Sequence, residues 1–225
     1  MARTVSDRIV EFLAERGVER IFGIPGDTID SLMESLRKQK AVHFVVIRHE
    51  EAGAFAASAQ AKLTGHLSVC VGCQGPGAVH LLNGLYDAAL DRVPVPAITG
   101  QIPRDELRTG MPQEIDQLRL FGDVAIYNAE VRSPENLEPV LSRAVREAQV
   151  RKGVAHVSIP SDVMRLPVHP RPPADREGVP RLDLWSVPMP GGVAGVRLNR
   201  LLCRTKVRSG CSNLIEQFGV TIQQF

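Results

Sequence analysis

Six short apolar runs constrain this chain more than any other feature. Each is stopped by glycine, proline or a burst of charge, and most give way to a segment of helical period. The runs fall at residues 21–24, 42–47, 67–71, 93–99, 125–131 and 155–159. Between them, apolar residues recur at helical spacing: Val5, Ile9, Phe12 and Leu13 ahead of Gly17, then Ile29, Leu32, Met33 and Leu36. An alanine-rich stretch runs to Thr64 and Gly65, Leu81, Leu82, Leu85 and Ala89 mark another helix, and residues 134–150 a further one. Such spacing gives a helix one apolar stripe to bury. A continuous apolar run suits a strand covered on both faces, and 42–47 is expected to be one. Pro94 and Pro96 are expected to weaken the pairing of 93–99, because proline donates nothing to a ladder.

Strand–helix alternation with short connections predicts an α/β fold: a three-layer, open, mostly parallel sheet with helices on both faces and right-handed crossovers. Ligands of such sheets sit outside the carboxyl ends of the strands. The loops that begin at Pro25, Arg48, Gly72, Gly100 and Pro160 are therefore the places to look for chemistry.

This pattern stops near residue 168, which sets the expected domain at 1–168. Pro167, Pro170, Pro172 and Pro173 suit a semi-extended linker. Residues 169–225 read as a Pro/Arg-rich tail, disordered or aberrant, with 220–222 as its one possible strand. Charge changes sign at the same place: residues 1–170 carry a net −2 and residues 171–225 a net +4. That small excess is thin support for a nucleic-acid-binding arm, so no nucleic-acid partner is expected. With 44% hydrophobic and 23% charged residues the composition is that of a soluble globular protein. No apolar run nears the roughly 20 residues of a membrane span. Arg3, Asp7, Arg8 and Glu11 interrupt any signal peptide, and a cytoplasmic location is the expectation.

Four cysteines are too few for a disulfide framework in 225 residues. Cys70 and Cys73 form C-x-x-C, but no second pair has zinc-ligand spacing to them. Cys70 reads as a small hydrophobe ending a strand.

Three loop motifs carry the chemical signal. Arg48-His49-Glu50-Glu51-Ala52-Gly53-Ala54 puts charge at the end of a buried strand. It suits a ligand site, and equally acids complementing a helix dipole. Gly72-Cys73-Gln74-Gly75-Pro76-Gly77 lies between a strand and a helix without the Walker or dinucleotide spacing. Its glycines allow a tight turn and a close backbone approach. Gly23-Ile24-Pro25-Gly26 follows the first strand. With Asn83-Gly84-Leu85-Tyr86-Asp87-Ala88, Val93-Pro94-Val95 and Ile159-Pro160-Ser161-Asp162, these motifs stand in an order that resembles the pyrimidine-binding domain of the thiamine-diphosphate decarboxylase and carboligase superfamily. The likeness spans about residues 4–168. It leans toward pyruvate oxidase and quinone-dependent pyruvate dehydrogenase, with acetolactate synthase next.

The resemblance implies thiamine diphosphate as cofactor, bound here by its pyrimidine side, and Glu50 as the activating carboxylate. A carboxyl group bonded to the pyrimidine ring nitrogen favours the imino tautomer, which removes the proton from the thiazolium carbon. That works best in a dry pocket. The resemblance further implies that Pro25 and Gly26 line the pyrimidine pocket, that Gly75, Pro76 and Gly77 form its floor and that Asn83 supports it. Gln113 would reach a pyruvate-like 2-oxo acid, although Pro112 stands where relatives carry an aromatic residue. Glu51 is expected to be structural; His80 is expected to pack as an ordinary helical histidine, with polar lining of the pocket as the alternative.

Relatives hold the diphosphate through magnesium in a second domain marked by Gly-Asp-Gly, which is absent from this sequence. The oxidases carry flavin in a middle domain. Magnesium and flavin are therefore expected only in domains missing from this chain, which would be inactive alone. A carboligase fragment like acetolactate synthase, and a stand-alone non-catalytic domain that pairs with full-length relatives, remain alternatives. The helices after Glu50 and Gly77 are apolar nearly all round, which implies a homo-oligomer or pairing with a diphosphate-binding domain.

Overall fold

A computed structural model describes residues 3–168, which lie within one compact unit, Met1–Pro172. The elements run α1 (Val5–Ala14), β1 (Arg20–Gly23), a 3-10 turn (Asp27–Ile29), α2 (Asp30–Arg37), β2 (His43–Val46), α3 (Glu50–Thr64), β3 (Val69–Gly72), α4 (Pro76–Leu90), β4 (Val95–Gln101), α5 (Gln117–Leu120), β5 (Ala125–Glu130), α6 (Pro134–Arg151), β6 (Val154–Pro160) and α7 (Ser161–Arg165). The strands form one six-stranded sheet in the order β2-β1-β3-β4-β6-β5, and every pair is parallel. The expected α/β architecture is present. The expected strand at 220–222, the linker and the tail lie outside the described residues.

Alternation along the strands divides the interior into two cores, because successive side chains leave a strand on opposite faces. Ile21, Val69, Val71, Ile98, Ala155, Val157 and Ile159 face one side, where α1, α2, α6 and α7 supply Phe12, Leu32, Leu141 and Met164. Phe22, Cys70, Ala97 and Val154 face the other, where α3 and α4 supply Ala54, Ala57, Leu81 and Leu85. Helix ends follow their sequence signals. Thr4 closes a capping box with Asp7, and Gly65 ends α3 in the left-handed conformation at φ 71°. The chain start is stitched to the end of the unit: Val5 N–H donates to the Leu166 carbonyl at 2.9 Å and Val168 N–H to Arg3 at 2.8 Å.

One strand expectation is corrected. β2 is an edge strand rather than one buried on both faces, with Val46 65% exposed. Its Phe44 and Val45 lean on opposite cores, and that two-sided contact gives the continuous apolar run. β4 is central, paired with both β3 and β6, and it begins only at Val95, after Pro94. Val95 donates to the Gly153 carbonyl beside β6, so the donor that Pro96 lacks would face β3. There the paired register begins only at Cys70–Ala97, which leaves the missing donor outside the ladder.

Candidate functional site

The chain leaves β1 toward β2 on one side and later returns to β3 on the other, so the crevice between β1 and β3 is the topological switch point. The loops after these two strands touch. A Cβ on Gly26 would overlap Cys73 Sγ, so the turn after β1 seats on the loop after β3 only because residue 26 has no side chain. Cys73 also approaches Gly77, and a Cβ on Gly77 would stand 3.3 Å from both Cys73 Cβ and Glu50 Oε1. Gly26, Cys73, Gly77 and Glu50 thus form one contiguous wall, and Pro25 borders it in the chain.

Gln74 ties the loops together. It is 4% exposed and accepts from the Thr28 hydroxyl at 2.6 Å, while its amide donates to Gln113 Oε1 at 3.1 Å and its backbone N–H to Thr28 Oγ1 at 3.3 Å. Gln113 belongs to the loop after β4 and holds a left-handed backbone, φ 65°. Gly75 has φ 56°, and a Cβ there would lie 2.6 Å from the Gln113 carbonyl oxygen. The loops after β1, β3 and β4 therefore lock through Thr28, Gln74 and Gln113. Asp27, Thr28, Gln74, Pro112 and Gln113 border one open depression, and Pro25, Gly26 and Asp27 border a second. Glu50 lines neither.

Glu50 opens α3, with His49 as N-cap in extended conformation. An acid in the first turn complements the helix dipole, but its contacts go further. Glu50 Oε2 lies 3.1 Å from His80 Nδ1, and the Glu50 side chain is only 13% exposed. Oε1 has no partner among the described residues and looks onto the missing Cβ of Gly77. His80 is not packed away as expected. It is 40% exposed, bonds Glu50 and stacks on His49 with ring centroids 4.4 Å apart. Its place on α4, one turn after Gly77, turns it to α3 instead of the sheet.

Glu51 points elsewhere, accepting from the Asn83 amide. Asn83 is exposed and touches the neighbour of Glu50 rather than Glu50 itself. Pro76 begins α4, where a missing N–H is harmless. The two helices cross closely, since a Cβ on Gly84 would meet Phe55 N at 2.5 Å. Sequence reasoning missed Thr28, Gln74 and His49 as site members. Gln74 stood inside a quoted motif, but nothing in its spacing says which loop its side chain will reach. Cys70 is buried, and desolvation pushes its thiol up to about 12; burial also raises Cys73. Both are free thiols, and no cysteine joins a metal-binding group among the described residues.

Residues 3–120 match the family described as thiamine pyrophosphate enzyme, N-terminal TPP binding domain. The chain belongs to that family. It is 45% identical over 176 residues to YdaP of Bacillus subtilis, named as a thiamine pyrophosphate-containing protein, which covers 76% of this chain and 31% of that one. It is 42% identical to the pyruvate oxidase of Lactiplantibacillus plantarum, covering 69% of this chain and 26% of that one. Against the acetolactate synthase isozyme 1 large subunit of Escherichia coli the identity is 36%, with shares of 71% and 29%. The chain thus spans about a third or less of the length of these three relatives. No described helix is long and apolar enough to cross a membrane.

Proposed function

We propose that this chain is the pyrimidine-binding part of a pyruvate oxidase-like enzyme that decarboxylates 2-oxo acids, with Glu50 as the group that bonds the aminopyrimidine of thiamine diphosphate. One observation carries the reading. A mostly buried carboxylate has one oxygen held by His80 and the other left unpartnered against a glycine, at the switch point of a parallel sheet. A planar ring carrying a nitrogen fits that donor set. When bound, thiamine diphosphate supplies a thiazolium carbon acid whose conjugate base attacks a carbonyl.

In this reading Glu50 Oε1 shares a proton with the ring nitrogen, and His80 fixes the carboxylate plane through Oε2. Pro25 and Gly26 border the ring, Gly77 leaves the space for it, and Gly75 and Pro76 set the start of α4. Asn83 holds Glu51, which keeps α3 and α4 in register. Gln113, anchored through Gln74, faces the substrate side and takes a pyruvate-like 2-oxo acid. Magnesium and a flavin belong to other domains of the enzyme.

The greater identity to the pyruvate oxidase than to the acetolactate synthase favours the oxidase-like activity. The open depressions beside the loops after β1, β3 and β4 also fit a site completed by another domain. Exposed Phe55 and Leu63 on α3, with Val79, Tyr86 and Leu90 on α4, suit that partner or a second copy of the chain.

Calorimetric titration of the full chain with thiamine, which lacks the diphosphate, tests the pyrimidine subsite. Binding that weakens by about tenfold, about 1.4 kcal/mol, in both Glu50→Gln and Gly77→Val supports the reading. Equal binding by all three proteins contradicts it.

A further inference from the structure

Among the described residues, His49, Glu50 and His80 each offer one ligand atom, and the three atoms lie within 4.8 Å of one another. Two imidazoles and a carboxylate are the donor set of a three-ligand zinc site that keeps a fourth position open. We propose that these residues bind a borderline divalent transition cation of the Zn2+ class, and that the bound cation takes Glu50 away from the cofactor. The second half rests on the assignment of Glu50 to the pyrimidine; the first does not.

Half of the site is already formed. Ligand atoms about 2.0–2.1 Å from a tetrahedral ion stand roughly 3.3 Å apart, and Glu50 Oε2 and His80 Nδ1 are 3.1 Å apart. They come from two helices whose crossing is fixed by backbone contact at Gly84, so the pair is held by the fold rather than by two flexible stems. His49 is the movable member. Its side chain is 50% exposed, and its own hydrogen bond is a long one, 3.3 Å from Glu51 N–H to Nδ1. It now stacks on His80 with the rings 27° from parallel. A metal lies in the plane of each ring that binds it, so His49 turns out of the stack and gives up the Glu51 bond on metal binding.

The donor set selects the ion. Mg2+ takes oxygen ligands and keeps its waters, so two imidazoles suit it poorly. Imidazole suits Zn2+, Ni2+ and Cu2+. Glu50 Oε2 already faces His80, so the ion replaces the hydrogen bond between them, and its double positive charge beside the carboxylate opposes a proton-bearing ring nitrogen at Oε1. Zinc would then oppose cofactor binding at the group that activates it.

The test titrates ZnCl2 into the full chain without thiamine diphosphate, followed by calorimetry, for the wild type, His49→Ala, His80→Ala and the control His66→Ala. His66 is exposed and remote in the chain from the three ligands. The expected result is one zinc bound by the wild type and by His66→Ala, weakened by about tenfold or more in each of the other two. Absence of zinc binding, or equal binding by all four proteins, overturns the site. Far-UV circular dichroism checks the fold. Should either alanine variant misfold, Cu2+ broadening of the His49 and His80 ring signals in the wild type replaces it, and broadening confined to other histidines counts against the proposal. With no cofactor present, failure here leaves the thiamine reading standing, and failure of the thiamine titration leaves the zinc site standing.

Discussion

Gly84→Ala should destabilise the protein although alanine is the better helix former. In an exposed helix interior this exchange stabilises by about 1 kcal/mol. At Gly84 the added Cβ would stand 2.5 Å from Phe55 N, 2.6 Å from Ala54 Cβ and 2.8 Å from Ala54 C. None of these is the far end of a flexible side chain, so α3 and α4 have to move apart. Overpacking of this kind costs about 1–3 kcal/mol, and the backbone contacts place the change toward the upper end. After the helix gain is offset, a net loss of about 1–2 kcal/mol remains. For a unit of this size that lowers Tm by roughly 3–6 °C. Urea unfolding followed by circular dichroism measures it, with the midpoint falling at unchanged slope. Because α3 carries Glu50 and α4 carries His80, the same change should loosen their 3.1 Å contact and weaken ligand binding. A variant as stable as the wild type, or more stable, would refute the close crossing on which the site's geometry depends.

Other outcomes follow from the same structure. His156 is fully buried, and desolvation pushes its pKa from 6.5 down to about 3. The unfolded chain therefore binds the proton more readily, and stability falls as pH drops from 6.5 toward 3. Between pH 7 and pH 5 the loss from this residue is about 2 kcal/mol, and urea titrations of wild type and His156→Gln should show it only in the wild type. Light scattering over a concentration series should show association through the outer faces of α3 and α4, reduced by Leu63→Glu with Leu90→Glu; a wild type that stays monomeric at high micromolar concentration would contradict it. Limited proteolysis with mass measurement should leave a resistant core ending near residue 168, and protection through Arg200 would refute that boundary.

The fold was legible because its causes are local. The helical stripes and the glycine at 65 each act over a few residues, and the structure follows them to within a residue or two. Strand position was harder to read. Phe44 and Val45 touch both cores at the sheet edge, so the 42–47 run resembles a central strand, and the tolerance of Pro96 depends on which neighbour its missing donor faces. Motif order pointed to Glu50, Gly77 and Gln113; Glu50 Oε1 lies beside Gly77, while Gln113 meets the same loop at Gly75 and Gln74. The polar links among them were not legible. Gln74 reaches Thr28 across 46 positions and Gln113 across 39, and such pairings are set by how three loops fold over the sheet. His80 misled for a related reason. Helical period says which residues share a stripe, not whether that stripe meets the sheet or another helix, and His80 meets α3.

The central claim is that Glu50, not the adjacent acid, activates thiamine diphosphate. Proton–deuterium exchange at the thiazolium carbon, followed by NMR with the chain joined to a diphosphate-binding domain of a relative, Mg2+ and saturating thiamine diphosphate, tests it directly. Positioned acid–base groups contribute about 100-fold to 10,000-fold to such proton transfers. The account predicts that Glu50→Gln slows the chain-dependent exchange by about 100-fold or more and that Glu51→Gln changes it by less than about threefold. Exchange unaltered by Glu50→Gln, or slowed equally by Glu51→Gln, would contradict it.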